Sequence, residues 1–254
     1  MTVFQPMGGG GKSSCGKGFT LAEVLITLGI IGVVAALTLP TLIANYQKQV
    51  YVNQLKKSVS SLSQGFALMM GKDGVTELKD TEAFGGMSVV CSSSNFDSDS
   101  CKTLREGLQN TFSGITFTKE NISMKSLNGV VGNLSNTCVI RFPDGSYLFQ
   151  PNFYLRDHMT NGVMKGVLGV FYLDVNGSKN PNTAGRDIFY LYLGNVGGVY
   201  PHGSQVVSVA MNNGNENTQY WRTTSDPSYD CKMDGSSYGI GCAARVLEEG
   251  KMDY

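Results

Sequence analysis

A chain of 254 residues with twenty basic and twenty acidic side chains carries no formal net charge, so no bulk field draws it to nucleic acid or anionic lipid. Thirty-two glycines, with twelve tyrosines and twelve phenylalanines, disfavour a helical bundle and point to a turn-rich β domain. The length is ample for one globular domain with its own core, even after an apolar anchor is set aside.

Residues 1–18 form a polar, glycine-rich leader. Gly8-Gly9-Gly10-Gly11-Lys12-Ser13 has the ingredients of a phosphate-binding loop, but the required glycine five places before Gly11 is Pro6, and no strand precedes it. From Phe19 to Leu39 runs an apolar segment of 21 residues in which Glu23 alone carries a side-chain charge. As a helix rising about 1.5 Å per residue it spans a bilayer core of about 30 Å. A carboxylate at the centre of a bilayer costs roughly 2.5–3.5 kcal/mol. Glu23 is therefore either a functional group or a residue held in the headgroup layer beside Lys17. The apolar run exceeds the roughly 7–15 residues of a secretory signal, and no small-x-small cleavage site follows it. Lys12 and Lys17 precede the run while Lys48, Lys56 and Lys57 follow it, so the positive-inside rule leaves the orientation open.

Pro40 removes one helical hydrogen bond and predicts a kink or local opening. Beyond it the helix resumes: Val52, Leu55, Val59, Leu62, Phe66 and Met69 alternate spacings of three and four and form one apolar stripe, with Lys56, Lys57, Ser60, Ser61 and Gln64 off it. One helix is predicted from about Phe19 to Met70, stopped by Gly71 to Gly74. Residues 71–135 are weakly patterned, with Gly85-Gly86, a loop from Cys91 to Cys101, and a short helix marked by Leu104, Leu108 and Phe112. The strand signal begins at Cys138. Residues 138–142 and 146–150 flank Pro143-Asp144-Gly145 as a hairpin, and strands are predicted at 166–175 and 187–193, with a fifth at 205–211. The last 40 residues read as loop, with a short helix near residues 243–249.

Six cysteines occur. Cys15 lies in the leader, and the gaps from Cys91 to Cys101 and from Cys231 to Cys242 suit two small disulfide loops, leaving Cys138 as a buried free thiol in a strand. Zinc is the rival, but there is no Cys-x-x-Cys pair, and neither His158 nor His202 has finger spacing. Disulfides place the domain in an oxidising space outside the cytoplasm.

Lys17-Gly18-Phe19-Thr20-Leu21-Ala22-Glu23, running into the apolar helix, resembles the processing site of type IV pilins and the pseudopilins of type II secretion. The resemblance implies cleavage by a prepilin peptidase between Gly18 and Phe19 and methylation of the new N-terminus. Glu23 becomes the fifth mature residue, whose carboxylate pairs with that amine or a neighbour's during assembly. Gly29, Gly32 and Pro40, the twenty-second mature residue, stand where this family carries helix-loosening residues. The close likeness covers roughly residues 17–60. The implied fold class is α+β: a long N-terminal helix, transmembrane in its first half and amphipathic in its second, packed on an antiparallel β-sheet head. The implied divisions are a leader at 1–18, a transmembrane assembly helix at 19–40, and the amphipathic helix with its head at 41–254. The head outside the cytoplasm, the N-terminus inside, follows from the cysteines and from this resemblance.

Asp174-Val175-Asn176-Gly177 and the following residues through Pro181-Asn182 to Gly185-Arg186-Asp187-Ile188-Phe189 resemble a loop of many pseudopilins, some of which bind calcium there. Oxygen ligands from Asp174, Asn176 and Asp187 suit a hard cation such as Ca²⁺. The segment is not an EF-hand: counted from Asp174, Gly177 comes too early, and Gly185 stands where the bidentate glutamate belongs. The alternative is a loop whose Asp and Asn side chains cap their own turns, with Asp187 paired to Arg186 or another cation. Asp97 and Asp99 form a second acidic pair, for which cation binding competes with the commoner reading as a solvated acidic loop.

The expected function is that of a structural filament subunit, a minor pilin or pseudopilin on account of its large head. It would stand single-pass in the cytoplasmic membrane before assembly and in a periplasmic or extracellular filament afterwards. Its partners would be prepilin peptidase, the assembly platform in the membrane and other pilin or pseudopilin subunits, with no cofactor required and Ca²⁺ the candidate ion. One rival is a tethered enzyme, for which Gly-x-Ser-x-Gly and His-Glu-x-x-His are both absent; Asp157-His158 is the one acid/base pair, and neighbours on a strand point to opposite faces. The other is a filament-borne or membrane-anchored adhesin or binder of DNA or sugar, using Tyr220, Trp221 and Tyr229. For Trp221 a buried, structural position competes with that reading.

Overall fold

The structure, a computed structural model, describes residues 18–85, 91–156, 166–207, 220–222, 224, 226–227, 230–232 and 235–254. Cys15 and the rest of the leader before Gly18, Asp157, His158 and Tyr229 lie outside the described residues. The chain divides into two units, residues 1–45 and 46–254.

Helix α1 runs from Leu21 to Asp73. It is unbroken through Pro40, where the Ala36 carbonyl goes without its usual helical donor. In the first unit the apolar side chains of the helix are exposed, from Leu21 through Leu42 and Ile43. In the second, Val52, Leu55, Ser58, Leu62, Phe66 and Met69 are buried, the predicted stripe with Val59 half-buried beside it. Each large apolar side chain so covered contributes about 1.5–3 kcal/mol. The helix stops where Gly74 takes a left-handed φ of 68° and the Val75 N–H turns back to the Met70 carbonyl, a Schellman closure.

A short helix α2 (Glu82–Gly85) and α3 (Lys102–Thr111) follow. The sheet is formed by β1 (Cys91–Ser92), β2 (Thr116–Lys125), β3 (Val131–Arg141), β4 (Tyr147–Arg156), β5 (Val167–Asp174), β6 (Ile188–Gly194) and β7 (Val199–Pro201). These make one seven-stranded sheet in the order β2-β3-β4-β5-β6-β7, with β1 on β4, and every pairing is antiparallel. Helix α4 (Cys242–Glu249) ends the chain's regular structure, capped by Gly250 at φ 69°.

The α1 stripe packs with Leu104 and Leu108 of α3 and with Leu148, Phe153, Phe171 and Leu191 on one face of the sheet. Gly65 makes part of this contact possible: a Cβ there would lie 2.1 Å from the Phe112 ring. The opposite sheet face carries an aromatic ladder in which Phe149 stacks on Tyr172 at 5.2 Å and Tyr172 meets Tyr190 at 4.7 Å.

Two expectations change. The weakly patterned stretch before Cys138 contains β2 and the first half of β3. A bulge between Glu120 and Ile122 shifts the apolar positions from Phe117 to Ile122 and Met124, so the period of two is lost in the sequence. Of the fifth strand predicted at residues 205–211, residues 205–207 are helical, because the Ser204 hydroxyl accepts the Val207 N–H and caps a helical turn, and residues 208–211 lie outside the described residues.

Disulfides join Cys91 to Cys101 and Cys231 to Cys242. Among the described residues Cys138 is the free cysteine, and burial pushes its thiol up to about 12, which makes it a poor nucleophile.

Candidate functional site

Thr20 precedes the first helical residue and acts as the N-cap of α1. Its backbone N–H donates to Glu23 Oε2 at 2.8 Å and its hydroxyl donates to the same oxygen at 2.9 Å, while the Glu23 N–H donates to the Thr20 hydroxyl at 3.2 Å. This is a capping box, in which the residue three places into the helix closes back on the cap. Gly18 and Phe19 stand exposed just ahead of it, so the peptide bond between them is accessible. Helix α1 carries an 18-residue apolar stretch of mean hydropathy 2.3 with none of its residues buried. A helix apolar on all sides and uncovered needs lipid or other helices around it.

The loop between β5 and β6 holds the candidate metal residues. Asp174 is 5 % exposed and Asp187 is fully buried. Asp174 accepts the Asn176 N–H at 3.1 Å; Asp187 accepts the N–H groups of Asn182 at 2.8 Å and Thr183 at 2.7 Å. Burial, then the charge of Asp187, pushes Asp174 up to about 8, and burial raises Asp187 against its backbone donors. No cation among the described residues sets the charge state of either, so the expected pairing of Asp187 with Arg186 is not formed, and Arg186 stands exposed.

Fit to a cation rests on further oxygens. Asn176 Oδ1 and Asn182 Oδ1 are enclosed and accept no hydrogen bond. Two carboxylates and two amide oxygens in one loop form a donor set suited to a hard cation. Among the described residues, no three His, Cys, Asp or Glu side chains gather as a metal cluster, so the amide oxygens are needed to complete the set. Sequence reasoning named Asn176 and missed Asn182, whose only signal was its place in the loop motif.

The loop is also a junction. Asn176 Nδ2 donates to the Tyr51 hydroxyl of α1 at 3.3 Å. Lys125 at the end of β2 donates its N–H to the Asn182 carbonyl and accepts from Ala184, and the Tyr254 hydroxyl donates to the Gly185 carbonyl.

Trp221 is 9 % exposed. Its indole N–H donates to Glu248 Oε2 at 3.1 Å, and the guanidinium of Arg222 lies 4.4 Å from its ring. Tyr220 donates to the same glutamate oxygen. These aromatics hold the C-terminal region together.

Residues 14–39 match the family model of the prokaryotic N-terminal methylation motif, the type IV pilin and pseudopilin signal. No curated protein and no solved structure matches the chain.

Proposed function

We propose that this carrier of the prepilin methylation motif is a structural subunit, a minor pilin or pseudopilin, of a type IV pilus or a type II secretion-type filament. The observation that carries the reading is the junction of Gly18-Phe19 and Glu23 with an uncovered apolar helix, inside residues 14–39 matched to the methylation motif. Prepilin peptidase would cut between Gly18 and Phe19, leaving a new ammonium four residues before Glu23. Packed among other subunits' helices, an unpaired Glu23 carboxylate is strongly penalised, and a neighbour's N-terminal ammonium offsets the penalty. The charge then sets register, since a misplaced subunit leaves it uncompensated. Pro40 would loosen the helix during packing.

The test is Glu23→Ala and Glu23→Val in the native cells. Both variants should insert and be processed, yet be depleted from sheared filaments. Normal incorporation would overturn the register role.

For the β5–β6 loop we propose a Ca²⁺ site held by Asp174, Asn176 and Asp187, with Asn182 as a further oxygen ligand. A divalent cation there offsets the repulsion of two buried carboxylates. The competing reading of the head as an aromatic binding surface loses its principal residue, because Trp221 is engaged within the fold.

A further inference from the structure

Tyr51 stands where the buried stripe of α1 begins. Val52 and Leu55 beside it are fully buried, and its own half-buried ring packs against the same core. Packing therefore places the ring, and its hydroxyl meets the loop between β5 and β6 from a fixed position. There it accepts a hydrogen bond from Asn176 Nδ2 at 3.3 Å. The same nitrogen donates to the Asn180 carbonyl at 3.4 Å. Asn176 is held through its backbone as well, its N–H donating to Asp174 Oδ1 at 3.1 Å.

These contacts decide which way the amide points. A carbonyl oxygen only accepts, so reversing the Asn176 amide would set its oxygen against that of Asn180. The nitrogen stays on Tyr51 and Asn180, and Oδ1 is left enclosed and without a donor. Such an oxygen costs about 1–3 kcal/mol unless something takes its lone pairs, which a hard cation does. Of the two acceptors, Asn180 belongs to the same loop as Asn176. Tyr51 is 125 residues away in the chain, and it is Tyr51 that refers the amide to the core.

We propose that Tyr51 is a positioning residue of the cation site: its hydroxyl orients the Asn176 amide for Oδ1 to serve as a ligand. Groups that orient a metal ligand without touching the ion change its affinity by roughly 10–100-fold. Such coupling is reciprocal, so a helix that favours binding is itself stabilised by binding. Occupancy of the loop then strengthens the seat of α1 at the turn that carries Tyr51. The inference rests on the reading of the β5–β6 loop as a Ca²⁺ site.

The experiment titrates the full chain in detergent micelles with Ca²⁺ by calorimetry, and follows amide hydrogen exchange over residues 49–55 with the ion and in chelator. Tyr51→Phe keeps the ring and removes the hydroxyl. It should weaken Ca²⁺ binding about tenfold and reduce the slowing of exchange that the ion produces. Its melting temperature should fall more in Ca²⁺ than in chelator. Asn176→Asp offers two equivalent oxygens and no amide to orient, so in that background Tyr51→Phe should cost little or no affinity. Binding by Tyr51→Phe equal to that of the unaltered protein overturns the inference. The same loss in both backgrounds, or an equal fall in melting temperature in Ca²⁺ and chelator, gives Tyr51 a structural role alone and also overturns it. In each of these cases binding by the unaltered protein and none by Asp187→Ala leaves the Ca²⁺ reading of the loop standing. No binding by the unaltered protein overturns that reading and this inference together.

Discussion

Glu23 and Thr20 satisfy each other. One carboxylate oxygen takes both the backbone N–H and the hydroxyl of Thr20, and Thr20 takes the Glu23 N–H in return. The acid on which the assembly account depends is therefore occupied by its own chain in the single subunit, where it also starts the helix. Glu23→Gln separates the two roles, because glutamine also closes a capping box but carries no charge. Helix content and processing should be unchanged in Glu23→Gln, and filament incorporation should fall as it does in Glu23→Ala. Incorporation of Glu23→Gln at the level of the unaltered protein would mean that capping, and not charge, is what assembly requires.

The second prediction concerns the β5–β6 loop. A cation bound at a hundred times its dissociation constant stabilises a protein by about 2.7 kcal/mol. Thermal unfolding in Ca²⁺ should occur at higher temperature than in chelator, and Asp187→Ala and Asn176→Ala should abolish that difference. Identical unfolding curves with and without Ca²⁺ would leave the loop as a structural junction only.

Most of the architecture is legible in the sequence. The α1 stripe from Val52 to Met69 is read directly because a helix buried along one face repeats every three or four residues. The hairpin around Asp144-Gly145 was legible for a similar reason: its strands, β3 and β4, carry buried residues on the core face. Strand β2 was hidden because it is an edge strand, exposed or half-buried throughout, and because its bulge changes the parity of its apolar positions. The capping box is written in the sequence as Thr20-x-x-Glu23, but the apolar run behind it makes the same glutamate a membrane-embedded charge as well as a cap. The orphan oxygen of Asn182 could not be seen at all, since enclosure is a property of the folded loop.

Gly65 provides a packing test. Gly65→Ala would favour the helix locally by roughly 1 kcal/mol. Its methyl group would nevertheless lie 2.1 Å from the Phe112 ring, which is itself held edge-on by Phe66 at 5.4 Å and Phe142 at 5.9 Å. Overpacking of this kind costs about 1–3 kcal/mol, so the variant should be less stable in urea. Gly65→Ala with Phe112→Ala should recover part of the loss attributable to the clash. An unchanged midpoint in Gly65→Ala would show that the ring moves freely.

Glu120 supplies a pH dependence of known sign. Burial opposes its ionisation, but hydrogen bonds from Thr118 and Arg141 outweigh this and hold the carboxyl below its ordinary value of 4.5. Arg141 Nη2 approaches the two carboxylate oxygens at 2.6 and 2.7 Å. A group lowered in the fold contributes stability above its unfolded value and loses it as pH falls through the folded one. The unaltered protein should therefore lose more stability between pH 7 and pH 3 than Glu120→Gln does. Equal losses would place the acid sensitivity elsewhere.

The cysteines predict a chemical pattern. Under non-reducing conditions an alkylating reagent should leave Cys91, Cys101, Cys231 and Cys242 unmodified, and Cys138 should react only after denaturation. Serine replacement of Cys231 and Cys242 together should cost about 2–4 kcal/mol. Ready labelling of Cys138 in the native protein would contradict its burial.

The central claim is that this chain is a processed prepilin, and the most direct measurement is N-terminal sequencing with intact mass of the protein recovered from its own cells. The account predicts a chain beginning at Phe19 and heavier by one methyl group than that sequence requires. A chain still beginning near Met1, in cells whose prepilin peptidase is active, would contradict it.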